Sequence, residues 1–170
     1  QYSDIQIAHN VAEAGDTLQL VGSLNSYNLN SSKRLHIIGP GWGTPPGMPA
    51  YMYTTNFGAG SEGSIMEGVQ ISYYATINAA NITIKDSYIY QLSLNANSTN
   101  LLVRNCVGFR YLYEIGQAAG QVFSNCIFNF TDSYESFQPF VLLDGSNSSM
   151  AYSTLFANCT FYKILMTELY

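Results

Sequence analysis

One short phrase recurs through this chain with variations. Residues 82–89 read ITIKDSYI, 101–108 LLVRNCVG, 122–128 VFSNCIF and 155–161 LFANCTF. Measured between the polar pivots Asp86, Asn105, Asn125 and Asn158, the steps are 19, 20 and 33 residues. Steps near twenty that carry short alternating strands predict a stacked, repeating fold, in which each repeat buries its apolar face against its neighbours. The longest step holds a polar insertion from Asp144 to Ser149.

Around each pivot the inward positions fall two before, one after and three after. They are Ile84, Ser87 and Ile89; Val103, Cys106 and Gly108; Phe123, Cys126 and Phe128; Phe156, Cys159 and Phe161. This is period-two alternation broken by a bend. Two strands that meet at a sharp corner need a left-handed residue there, and Asn, Asp and Gly adopt that conformation at least cost. The same frame, carried backwards, places further pivots at Gly68, Gly39 and Gly22, so about seven rungs are expected. At the usual strand spacing such a stack rises about 30 Å. Gly68, Asp86, Asn105, Asn125 and Asn158 are thus read as structural corners.

These phrases resemble the rungs of the right-handed parallel β-helix superfamily, which includes pectate lyases and many bacterial surface proteins. The opening is also similar to that family's N-terminal cap and first rungs: Ile5 to Ala14, then Gly15-Asp16-Thr17-Leu18, and later Leu35 to Gly41. The resemblance implies an all-β coil whose open end is plugged by a short helix. One domain over 1–170 is expected, with the cap in 1–15 and rungs over 16–170. A fold of this kind hosts many activities, so it does not name a function.

Charged residues make up only 10% of the chain, and the net charge is −5. Nucleic acid and anionic membrane surfaces attract basic proteins, which argues against both as partners. No apolar run reaches the roughly 18–20 residues of a spanning helix. A chain that begins with Gln1 reads as a secreted form after signal removal, and an extracellular or cell-surface location is expected. The apolar run from Phe161 through Ile164, Leu165, Met166 and Leu169 predicts that further rungs or a partner cover the C-terminal end.

Three cysteines, Cys106, Cys126 and Cys159, share the slot after the pivot and are read as free, buried, stacked thiols. A zinc site needs ligands that converge from several directions, so no metal and no cofactor are expected. Six Asn-X-Ser/Thr sequons occur, at Asn30, Asn81, Asn97, Asn129, Asn147 and Asn158. They fit either glycan acceptors or an Asn-rich stack without glycans.

Lys85 and Arg104 lie 19 residues apart and are expected as neighbours on one face, where two cations would suit an acidic sugar. The resemblance to polysaccharide lyases implies a calcium site of clustered carboxylates, but the pivots after Asp86 are neutral asparagines. The carboxylate pairs Glu62 with Glu67 and Asp132 with Glu135 form no glycosidase motif, and His9 and His36 are expected to sit apart from most carboxylates. Catalytic residues are therefore unassigned. Tyr51, Tyr53, Tyr73, Tyr74, Tyr88, Tyr90, Tyr111 and Tyr113 lie at or beside strand ends and serve either as packing or as sugar-stacking rows. Tyr88, Tyr90, Tyr111 and Tyr113, with Lys85 and Arg104, form the candidate binding set.

The sequence favours a non-catalytic structural or adhesive module that binds a glycan or a protein. A polysaccharide-degrading enzyme and a self-assembling filament subunit are the alternatives.

Overall fold

The computed structural model describes residues 2–43, 48–114, 119–129, 141–143 and 154–162. Asp132, Glu135, the insertion from Asp144 to Ser149 and the apolar tail beyond Tyr162 lie outside them.

One helix opens the chain, α1 (Ile5–Val11), and is followed by β1 (Thr17–Gln19), β2 (Ser23–Ser31), β3 (His36–Ile38) and β4 (Ala50–Phe57). Next come β5 (Ile65–Glu67), β6 (Val69–Ile77), β7 (Thr83–Lys85), β8 (Tyr88–Leu94), β9 (Leu102–Arg104) and β10 (Val107–Glu114). The last are β11 (Gln121–Ser124), β12 (Ile127–Asn129), β13 (Val141–Leu143), β14 (Thr154–Ala157) and β15 (Thr160–Tyr162).

The chain alternates between two wholly parallel sheets. The short strands β1, β3, β5, β7, β9, β11 and β14 form one in that order; β2, β4, β6, β8, β10, β12 and β15 form the other, with β13 also on β10. Strand β12 pairs with the start of β10, at Val107 and Gly108, and β13 with its end, at Leu112 to Glu114.

Register turns the phrase into columns. Leu18, Ile37, Met66, Ile84, Val103, Phe123 and Phe156 stand one above another in the short sheet, and all but the two end members are fully buried. Burying each such side chain stabilises by about 1.5–3 kcal/mol. Toward the C-terminal end this column becomes aromatic, with Phe123 stacked on Phe156 (5.1 Å), and so does a column of the long sheet, with Phe128 on Phe161 (4.8 Å).

The corners between short and long strands are left-handed. Gly68 has φ 68°, Asp86 51°, Asn105 53°, Asn125 52° and Asn158 52°. Their amides extend the ladder, from Asp86 to the Arg104 carbonyl (3.0 Å) and from Asn105 to that of Ser124 (3.0 Å). The first two expected pivots differ. Neither Gly22 nor Gly39 has positive φ, and the residue level with Gly39 in the first layer is Leu20, whose amide donates to Ile38 (2.7 Å). Gly39 keeps its level for a steric reason: a Cβ there would lie 2.3 Å from the carbonyl oxygen of Gly68.

Helix α1 ends at Val11, earlier than the expected Ala14, because Ala12 is already extended (ψ 152°). The Asp4 carboxylate caps its start by accepting from the Gln6 amide (2.6 Å), and Lys33 Nζ donates to the carbonyls of His9, Asn10 and Ala12 at its end. Gln6 Oε1 accepts from the Asn30 amide (2.8 Å) and His9 Nε2 from that of Ser32 (3.1 Å). The helix thus satisfies backbone groups along the edge strand β2, which would otherwise be open to pairing with another chain.

Candidate functional site

The two sheets divide the predicted site residues. Lys85 and Arg104 are paired in register on β7 and β9 of the short sheet. All eight tyrosines lie on β4, β6, β8 and β10 of the long sheet, and none is fully buried. Cations and tyrosines therefore do not form one set.

On the short sheet the expected cation pair is part of a mixed-charge row. Glu67, level with Lys85 on the next strand, receives Lys85 Nζ at 2.5 Å on Oε2 and shares a 2.6 Å hydrogen bond with His36 Nε2 on Oε1. Lys85 above all, and His36 with it, hold the Glu67 carboxyl below the usual carboxylate range, against partial burial that pushes it up. His36 thus meets one carboxylate directly. The two lie 31 positions apart in the chain, across the long connection from β3 to β4, and strand pairing closes that distance. Among the described residues no three His, Cys, Asp or Glu side chains gather as metal ligands would.

The cysteine slot is continuous with Ser87, whose hydroxyl donates to the Lys85 carbonyl (2.7 Å) and accepts from the Val69 amide (3.2 Å). Cys106 and Cys126 repeat the first bond, to Arg104 (3.3 Å) and Ser124 (3.4 Å), and all three thiols are free. Burial pushes the Cys106 thiol far up and that of Cys126 to about 11. Cys159 departs from the expectation of full burial. It is half-buried, in the last described layer of the stack.

Of the sequon asparagines, Asn30, Asn81, Asn97, Asn129 and Asn158 are exposed, and Asn147 lies outside the described residues. Asn81 belongs to a second set of left-handed corners that sequence reading missed, with Gly63, Asn100 and Gly120. Asn100 Nδ2 donates to Asn81 Oδ1 (3.2 Å), and three residues earlier in the same two layers Asn97 Nδ2 donates to Asn78 Oδ1 (3.1 Å).

The long sheet carries a concave feature beside its tyrosines. Trp42, Tyr88, Tyr90, Val107, Gly108, Arg110, Ile127 and Asn129 line a groove of about 400 Å³. Trp42 and Tyr88 meet at 6.0 Å. Arg110, which no motif singled out, donates to the Tyr90 hydroxyl, and its guanidinium lies 5.6 Å from the Tyr90 ring centre and 5.2 Å from that of Tyr111. Cation–π contact on two rings fixes a side chain that is otherwise among the most mobile.

A bulge in β10 puts Arg110 there. Gly108 sits level with Ile89, and Tyr111 with Gln91, so β10 has two residues, Phe109 and Arg110, where β8 has Tyr90 alone. Gly108 (φ 109°) and Phe109 (φ 52°) are both left-handed. An aromatic residue in that region is strained, and such strain concentrates at functional sites. Here Phe109 turns inward and stacks on Phe128 (4.5 Å), while Arg110 turns outward beside Tyr90. A bulge re-aims a side chain in just this way.

The chain matches no protein-family model, and neither a curated protein nor a solved structure matches it.

Proposed function

We propose that this chain is a right-handed parallel β-helix that serves as a secreted or cell-surface glycan-binding module. The alternation of parallel strands between two sheets supports a coil, and crossovers between parallel strands are right-handed in about 98% of cases. The observation that carries the function is the groove lined by Trp42, Tyr88, Tyr90 and an Arg110 that the rings of Tyr90 and Tyr111 hold in place. Aromatic rings accept the apolar faces of sugars, and a fixed guanidinium supplies directional donors to their hydroxyls. The stack holds Tyr88, Tyr90 and Arg110 on strands β8 and β10, with Trp42 on the connection after β3, so little ordering entropy of those three side chains opposes binding.

The enzyme alternative lacks comparable support. Among the described residues Glu67 is the one carboxylate in an ion pair, and it faces out of the other sheet. Affinity electrophoresis through gels that contain polysaccharides tests the proposal. Retarded migration of the wild type in at least one gel, restored to normal by Tyr90→Ala or Arg110→Ala, is expected. Unretarded migration in every gel contradicts it.

A further inference from the structure

We infer that the ligand is a neutral, linear polysaccharide laid along the stack across β4, β6, β8 and β10, and not one sugar held in the groove. This rests on the glycan reading of the groove and extends it in length and in charge.

Length comes from the tyrosines outside the groove. Tyr53 and Tyr73, on adjacent strands, are 47% and 44% exposed. Their planes are 18° apart with centres at 4.9 Å. Rings in contact lie about 3.5–4 Å apart plane to plane, so that separation slides them like shingles and leaves part of each face open. Tyr74 continues the row at 4.9 Å from Tyr73, and Tyr90 and Tyr111 resume it at 6.4 Å beside Arg110. From β4 to β10 the row crosses three strand spacings, about 14 Å. That is room for several linked sugars.

Charge comes from what the face omits. Among the described side chains that these four strands turn outward, Arg110 alone is charged; the rest are Tyr, Thr, Ser, Asn, Gln and Val107. An acidic polymer would need a cation at each repeat, and the chain's net charge of −5 repels it. The core of a protein interface draws on aliphatic side chains as well as tyrosine, and the described side chains of this face and its groove offer two, Val107 and Ile127. Hydroxyls and amides among aromatic rings match an uncharged, hydroxyl-rich chain instead.

Titration calorimetry with neutral glucan, xylan and mannan oligosaccharides from disaccharide to hexasaccharide, and with hexagalacturonate, tests this. At least one neutral series should tighten by about tenfold or more with length, worth ~1.4 kcal/mol. The double variant Tyr53→Ala/Tyr73→Ala, with an unchanged melting profile, should lose that gain and keep the disaccharide affinity. Equal affinity for disaccharide and hexasaccharide, tighter binding of hexagalacturonate, or a double variant that matches the wild type overturns the inference while the groove reading stands. If no saccharide binds the wild type, or only a protein does, both readings fall.

Discussion

The side-chain amide of Asn105 donates to the carboxylate of Asp86 across one layer, at 2.9 Å, and its own oxygen accepts from Asn125 Nδ2 at 3.3 Å. Both ends of the bond sit on left-handed backbone. One residue type therefore meets two demands at each corner, tolerance of positive φ and a polar link along the stack. Asn105→Val removes both and is expected to cost about 1–3 kcal/mol. Asn125→Val should behave alike. Urea unfolding checks this, and unchanged midpoints in both variants contradict it.

The bulge gives a second expectation. Gly108→Ala places a Cβ 2.4 Å from the Ile89 carbonyl oxygen, on backbone at φ 109°. A loss of about 1–3 kcal/mol or more is expected from the strain alone. Because Arg110 depends on the same bulge, glycan affinity should fall as well. A variant as stable as the wild type contradicts this.

What the sequence made legible follows from local chemistry. Gly68, Asp86, Asn105, Asn125 and Asn158 stood out because left-handed corners select few residue types, and the inward columns followed from alternation. Gly22 and Gly39 misled because glycine also answers close backbone approach, as at Gly39 against Gly68. Asn81 and Asn100 were missed because the connections around them vary in sequence. Arg110 was unreadable for a related reason: Phe109 is a residue type that rarely takes φ 52°, so nothing announced a bulge. His36 and Glu67 meet only through pairing of β3 with β5, beyond the reach of any local pattern.

Thiol accessibility should rank the cysteines. Cys106 and Cys126 are fully buried, and burial raises both thiols, the latter to about 11. Thiolate is the reactive form. Half-buried Cys159 should therefore react first with a thiol reagent at neutral pH, with the other two released only on unfolding. Prompt labelling of Cys106 in the native protein contradicts this.

The ion pair of Glu67 with Lys85 carries a pH signature. Its folded pKa lies below the unfolded value, held down chiefly by Lys85. The stabilisation is therefore complete above the unfolded value, about 4.3, and is lost as pH falls through the folded one. Glu67→Gln should be less stable than the wild type at neutral pH, and the difference should shrink as pH drops below about 4. A difference independent of pH contradicts this assignment.

Trp42 is the single tryptophan of the chain and lines the groove beside Tyr88, so its fluorescence reports occupancy of that site and no other. Titration of the wild type with a neutral oligosaccharide that retards it in a gel should change the Trp42 emission saturably. In Tyr90→Ala, folded to the same melting profile, the midpoint should move up by about tenfold. Emission that does not respond to any bound glycan, or a midpoint that Tyr90→Ala leaves in place, would contradict a binding site built on this groove.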